Sequence, residues 1–335
     1  MINVMILGAS GYVGGELLRL LAAHPHFRPT LLVGDSDAGK GVADVHPALA
    51  LAYPDAAIRA YDPAMLGDAG LVFAALPHGM SQELAPSILD AGVPFVDLGA
   101  DFRLDTPDDY ATWYGETHKA PDLLDAFIYG IPEFNRSKIA GARAVSAAGC
   151  YATAAILALK PLVDAGLIAP GTITIDGLSG VSGAGKAPTS KTHFDNVHNS
   201  IAAYGLLTHR HTGEMEMMIG QQLLFTPHLV PMDRGLLVTA YGAATGADDP
   251  LAVLADAYAG EPFIRVSETP PATKTLAGTN AAHLTARYDT RTGKILAQAA
   301  IDNLGKGAAG QMIQCANIML KFDETAGLPL AGIWP

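Results

Sequence analysis

The chain has 335 residues, half of them hydrophobic, and a net charge of −12. That supports two domains with large cores, and the negative balance excludes a broad electrostatic grip on nucleic acid or an anionic membrane. Two cysteines without disulfide-framework spacing fit a reducing, cytoplasmic setting, with no secretory leader and no apolar run long enough to span a bilayer.

Ile2 to Leu7 is a continuous apolar run, as expected of a strand buried on both faces. Gly8-Ala9-Ser10-Gly11-Tyr12-Val13-Gly14 follows, then an apolar helix from Val13 to about Ala23, stopped by His24-Pro25. Thr30 to Val33 reads as a second strand. Strand, glycine turn, helix, strand is the front of a dinucleotide-binding unit, although the glycine spacing departs by one from G-x-G-x-x-G. The alternative is a helix cap with small residues for packing. After the second strand, Gly34-Asp35-Ser36-Asp37-Ala38-Gly39-Lys40 carries both acidic and cationic groups. An acid there suits the ribose of NAD and a cation the 2′-phosphate of NADP, so these residues leave the choice open.

Leu71 to Leu76 is the next strand, with Pro77-His78-Gly79 at its C-terminal end, where ligands sit in open α/β sheets. Ser81 is expected to N-cap a helix running to Ala91. Val93 to Leu98 is a strand ending in Gly99-Ala100-Asp101-Phe102-Arg103; Arg103 could hold a substrate anion or pair with a neighbour such as Asp101. Thr106 to Glu133, rich in Pro-Asp turns, reads as loop and surface.

Ala142 to Val145 reads as a strand, followed by Ser146-Ala147-Ala148-Gly149-Cys150-Tyr151-Ala152-Thr153 and a helical pattern that Pro161 should end or kink. Cys150 thus falls at a strand-to-helix turn. A helix N-terminus carries about half a positive charge and unpaired N–H groups, which favour thiolate and can hold an oxyanion. A thiol pKa near 8.5 could fall there by about one to several units. The competing reading is an inert buried cysteine.

Beyond this point strands are read at Thr172 to Leu178, Leu223 to Leu229, Leu236 to Ala243, and around Leu284 and Ile295, the last two joined by a hairpin through Asp289 to Lys294. With a helix only at Pro250 to Tyr258, a mixed, mostly antiparallel sheet is expected. A final helix runs from Gly307 to Leu320, with Cys315 as packing. The turn before it, Asp302-Asn303-Leu304-Gly305-Lys306-Gly307, suits an amide or phosphate contact.

A cysteine nucleophile needs a proton partner, and Thr208-His209-Arg210-His211-Thr212-Gly213-Glu214 is the best candidate stretch. In an extended segment both histidines point the same way. A surface pair, or a metal site with His193, His198 and His228, are the alternatives, but no zinc-type spacing accompanies them. Gly180 to Ala187 resembles a P-loop except that Ala187 replaces the magnesium-binding hydroxyl; Ser182 and Lys186 could still line a phosphate or nicotinamide site. Dinucleotide turn, thiolate and imidazole together suit a phosphorylating aldehyde dehydrogenase working through a thioester.

Gly8 to Gly14, Asp97 to Arg103, Gly149-Cys150-Tyr151-Ala152-Thr153, Ser179 to Gly185, His209-Arg210-His211-Thr212, Phe225-Thr226-Pro227-His228-Leu229 and Asp302 to Ala309 resemble, in order and almost end to end, the N-acetyl-gamma-glutamyl-phosphate reductase family. The resemblance implies an α/β chain. A Rossmann-type domain over 1–149, completed by 306–335, would be joined to an α+β catalytic and oligomerisation domain over 150–305. It implies NADPH-dependent reduction of an acyl phosphate to a semialdehyde, a step of arginine synthesis, in a cytoplasmic homo-oligomer (dimer or tetramer) with no metal, nucleic-acid or membrane partner. Cys150 would be the nucleophile and His209 the acid/base. Gly8, Ser10, Gly11, Tyr12, Val13, Gly14, Ser36, Pro77, Ser182, Gly183 and Asn303 would contact NADP, Asn303 near its nicotinamide. Arg103, Tyr204, His211 and Glu214 would lie on the substrate side. Ala148 and Gly213 stand where the family commonly has proline, loosening the backbone beside both catalytic residues. Two rival readings remain open: a sister acyl-phosphate reductase of the aspartate-semialdehyde or aminoadipyl type, and a non-catalytic NADP-sensing protein.

Overall fold

The computed structural model describes residues 1–333. The chain forms two compact units: one of Met1–Ala148 with Ala308–Leu328, the other of Gly149–Gly307 with the segment from Pro329. That last segment was expected with the first unit. Instead it pairs with the second, where Asn280 N–H donates to Pro329 O at 3.2 Å and Ile333 N–H to Ala277 O at 2.9 Å.

The first unit holds six strands: β1 (Ile2–Leu7), β2 (Phe27–Val33), β3 (Leu71–Ala74), β4 (Phe95–Asp97), β5 (Phe127–Gly130) and β6 (Ala144–Ala147). Their order is β2-β1-β3-β4-β6-β5 and every pairing is parallel. Met5, Leu7, Val72, Ala74, Phe95 and Phe127 form its core with Leu31, Val33, Ala85 and Ile88. The final helix, Gly310–Met319, is buried along its whole length, Cys315 included, so its one-faced pattern understates its packing. It begins later than expected because Gly305–Ala309 forms a π-turn.

Three local expectations fail for identifiable reasons. Strand β2 begins at Phe27, ahead of Pro29, because it is the sheet edge, where a missing N–H is tolerated; the register slips between Val4 and Met5 opposite it. Ser81 is the first helical residue of Ser81–Asp90, not its cap. Its hydroxyl donates to Asp97 Oδ1 at 2.8 Å. The capping falls to Asp101, wholly buried, whose carboxylate accepts from the N–H groups of Gly79 (2.8 Å), Ser81 (3.0 Å) and Gln82 (3.4 Å). The segment 106–133 is not all surface: it holds a helix, Pro107–Tyr114, and the edge strand β5. Tyr110 there is fully buried, accepting from Gln82 Nε2 at 2.6 Å, and Glu116 meets His78 Nε2 at 2.6 Å.

The second unit holds seven strands: β7 (Ile173–Gly180), β8 (Ala202–Ala203), β9 (Leu223–Val230), β10 (Leu236–Ala243), β11 (Ile264–Val266), β12 (Ala282–Asp289) and β13 (Lys294–Ile301). Their order is β11-β12-β13-β10-β7-β9-β8, parallel only at β11/β12 and β7/β9. The expected mixed, mostly antiparallel sheet is therefore present. The helix Cys150–Asp164 packs on β10, β12 and β13. It runs through Pro161, which was expected to end or kink it. Proline cannot donate to the carbonyl four residues back; here that carbonyl, Leu157 O, accepts from the Tyr258 hydroxyl at 2.7 Å. A tertiary donor repairs what the local sequence breaks.

Replacing Asp101 with alanine should cost about 2–4 kcal/mol in urea denaturation, since it orphans backbone donors, while Asp101→Asn, which keeps an acceptor, should lose less.

Candidate active site

Cys150 is the first residue of its helix and is half-buried. No side chain caps that N-terminus, so its first-turn N–H groups have no partner within the helix. The preceding residue, Gly149, donates its N–H to Glu214 Oε2 at 2.9 Å. Glu214 is fully buried on the helix His211–Ile219. The His211 ring packs against Gly149 so closely that a Cβ there would stand 2.7 Å from Cδ2. His211 Nε2 in turn lies 3.8 Å from Glu214 Oε1. Glu214 and His211, expected on the substrate side, thus hold the backbone that presents the thiol. Gly213, in place of a proline, is buried in the first turn of that helix, which forms regardless. Ala148 is also buried.

His209 and His211 do not share an extended segment, because the helix begins at His211. Their rings nevertheless meet edge to face at 4.8 Å. Around His209 stand Tyr151 at 5.6 Å, Tyr204 at 5.5 Å and Phe225 at 5.4 Å, all edge-on. Burial in this aromatic box, with the Arg210 charge beside it, lowers the imidazole to about 4. His211 N–H donates to His209 Nδ1 at 3.2 Å. The neutral ring therefore carries its proton on Nε2. The Tyr151 hydroxyl donates to His228 O at 2.8 Å and Tyr204 lies 3.5 Å from it. Burial pushes Tyr204 up to about 12 and Tyr151 higher still, the Cys150 charge adding to both. The phenols stay protonated and the sulfur is near enough to be felt by them.

Ser182, Gly183 and Asn303 come together in the same unit. Asn303 Nδ2 donates to Ser182 Oγ at 2.9 Å while its Oδ1 accepts from Gly235 N–H at 2.7 Å. A Cβ on Gly183 would lie 2.9 Å from Ser179 Oγ. Asp302 binds the N–H groups of Leu304 and Gly305 and pairs with Arg234 at 2.8 Å. Sequence reasoning quoted the stretches of Gly149, Tyr151 and Phe225 without giving these residues a role, and it missed Arg234. Tyr151 and Phe225 look like core residues by composition, and only their edges against His209 mark them.

The remaining residues belong to the first unit. Gly8, at φ +85°, and Ala9 both donate to Val33 O, at 2.9 and 2.8 Å. A Cβ on Gly14 would lie 2.7 Å from the Ala9 carbonyl carbon, so glycine there lets the helix Tyr12–Leu21 close on the turn. Gly11 is its N-cap and no side chain caps it; half-buried Ser10 and Val13 and exposed Tyr12 flank it. An uncapped helix N-terminus on a glycine cradle fits a dinucleotide pyrophosphate. Ser36 is exposed beside Asp37, which holds Lys40 Nζ at 2.8 Å. Pro77 is exposed after β3. Arg103 is 6% exposed and donates to Leu98 O at 2.6 Å. Its charge opposes the rise of buried Asp97, which burial takes to about 7. Among the described residues no cluster of three His, Cys, Asp or Glu could hold a metal, and no helix is long and apolar enough to cross a membrane.

Residues 3–142 match the family model described as semialdehyde dehydrogenase, NAD binding domain, and residues 150–303 the one described as semialdehyde dehydrogenase, dimerisation domain. An aspartate semialdehyde dehydrogenase II from Vibrio cholerae superposes with TM-score 0.72 over 96% of this chain and 98% of its own, at 20% identity. The Candida albicans enzyme solved with NADP superposes with TM-score 0.69 over 96% and 98%, at 18% identity. Fold and domain pair thus define a semialdehyde dehydrogenase with a nicotinamide-dinucleotide-binding domain. Within that class, the N-acetyl-gamma-glutamyl-phosphate reductase of Desulforudis audaxviator is 44% identical over all of both chains. That of Thermus thermophilus is 44% identical over 98% of this chain and 99% of its own. The chain belongs to the N-acetyl-gamma-glutamyl-phosphate reductase family.

Two outcomes follow from the geometry. Glu214→Ala leaves the buried Gly149 N–H without its acceptor and should cost about 2–3 kcal/mol, read as a lowered urea midpoint, with slower alkylation of Cys150. The depressed His209 value makes its stabilising contribution complete above pH 6.5 and lost as the pH falls through about 4. Urea-unfolding free energies over that range should therefore fall more steeply for the wild type than for His209→Asn.

Proposed function

We propose that this chain reduces N-acetyl-L-glutamyl 5-phosphate to N-acetyl-L-glutamate 5-semialdehyde and phosphate, with NADPH as reductant, in cytoplasmic arginine biosynthesis. The observation that carries this reading is a half-buried thiol at an uncapped helix N-terminus, in a chain 44% identical over its whole length to a reductase of that name. The aspartate semialdehyde dehydrogenases of Vibrio cholerae and Candida albicans are 20% and 18% identical to this chain.

Cys150 attacks the acyl carbonyl as thiolate, favoured by the helix dipole, and phosphate leaves. First-turn N–H groups stabilise the oxyanion. NADPH, when bound, supplies a hydride for the resulting thioester. The tetrahedral oxyanion expels the Cys150 thiolate and releases the aldehyde. His209, neutral with its proton on Nε2, donates a hydrogen bond from that atom toward the oxyanion or the departing sulfur and keeps the proton. In the first unit Gly8, Ser10, Gly11, Tyr12, Val13 and Gly14 would hold the pyrophosphate and Ser36 the adenosine side, with Pro77 a further dinucleotide contact; in the second, Ser182, Gly183 and Asn303 would contact the nicotinamide. Lys40, exposed beside Ser36, supports NADP over NAD. Arg103 and Tyr204 remain assigned to the substrate side. The dimerisation domain of the matched family supports a homo-oligomer.

Cys150→Ala should abolish turnover and leave NADPH binding, followed by nucleotide fluorescence, unchanged; substantial residual turnover would end the thioester route. His209→Asn should lower kcat by about a hundredfold or more. Phosphate-dependent NADP reduction with N-acetyl-glutamate semialdehyde should exceed that with aspartate semialdehyde, and the reverse order would favour the sister enzyme.

A further inference from the structure

The glycine turn ahead of the final helix has a function that its backbone does not explain. Gly307 is not among the glycines with left-handed φ, so the position demands space rather than conformation. A Cβ there would stand 2.8 Å from Cys150 Cβ, 3.2 Å from Ile301 Cδ1 and 3.3 Å from Asp302 O. Carbon atoms pack best at about 3.5–4.0 Å, so an added methyl must displace something. Ile301 is wholly buried on β13, and the Asp302 carbonyl accepts from Gly307 N–H at 3.0 Å. Cys150 Cβ is the nearest of the three atoms and moves only with its backbone, so the added methyl bears on the start of the Cys150 helix.

The turn that carries Gly307 is itself held firmly. Its five residues, Gly305–Ala309, form a π-turn, a distortion that often marks functional sites. Asp302 accepts from the N–H groups of Leu304, just ahead of the turn, and Gly305, its first residue. Gly305 lies against Thr279 O with no room for a Cβ. Lys306 is fully buried with its ammonium 5.8 Å from the Phe263 ring centroid.

We propose that Gly307 is a positioning residue for the nucleophile. The π-turn presents a wall without a side chain against Cys150, and this leaves room for the start of the Cys150 helix to sit where it does; a methyl at 307 would push that helix start, and the sulfur with it, away. The proposal rests on the reading of Cys150 as the nucleophile.

The test is Gly307→Ala in the full-length protein. The expected result is slower carboxymethylation of Cys150 by iodoacetamide at pH 7, by about tenfold, and a pH midpoint moved upward by about one unit, because displacing the helix start disturbs the first-turn amides that favour the thiolate. Retained NADPH affinity would accompany this. A rate and midpoint indistinguishable from the wild type overturn the proposal. Should the variant unfold, melting temperatures of Gly307→Ala, Cys150→Gly and the double variant decide instead. Removing the Cys150 Cβ should reduce the loss caused by the added methyl, and an equal loss in both backgrounds overturns the contact. The parent reading fails separately, if alkylating Cys150 in the wild type leaves turnover intact.

Discussion

The bond from Gly149 N–H to the Glu214 carboxylate is the constraint on which the site depends. A carboxylate with no solvent exposure is expensive unless its lone pairs are used. It accepts from the residue just outside the Cys150 helix and not from the first turn, so it fixes where that helix begins without consuming the amides that the sulfur and an oxyanion need. The same carboxylate lies beside His211, whose ring fills the space that a side chain at 149 would take. Nucleophile and histidine segment are thereby one packed piece, although 58 residues separate Cys150 from His209 in the chain.

Charge in this piece is controlled by burial. Edge-on rings around His209 provide little solvation for an imidazolium, and Arg210 opposes one further. The ring is kept neutral well below the pH where a free histidine protonates. Its tautomer is set by a single backbone amide on Nδ1. Such a histidine offers one hydrogen bond in one direction, which suits a step in which negative charge appears on oxygen or sulfur.

The two positions where this chain lacks the proline common in its family show how packing replaces local stiffness. Ala148 and Gly213 are both buried and flank the Gly149–Glu214 bond. Burial places packed neighbours around both positions. The Pro161–Tyr258 pair is the converse case, a stiff residue whose cost a distant hydroxyl offsets.

What the sequence determined by itself was whatever depends on neighbours along the chain. Strands β1, β10, β12 and β13, the glycine turn after β1, and Cys150 at a helix start all follow from apolar runs, turn residues and period. Asp302 to Gly307 could be recognised as a glycine turn for the same reason. Local pattern misled at Ser81, where the cap comes from Asp101 twenty residues on, and at β5, whose short Phe127–Gly130 run becomes a strand only because β6 lies beside it. It marked the stretches that hold Tyr151, Phe225 and Gly307 but gave those residues no part beside His209 or Cys150. It did not show that His211 and Glu214, which the family resemblance sets on the substrate side, also pack against Gly149. Those matters were decided by the tertiary structure, because desolvation, the acceptor a buried amide finds and the room beside a sulfur are properties of residues brought together through space.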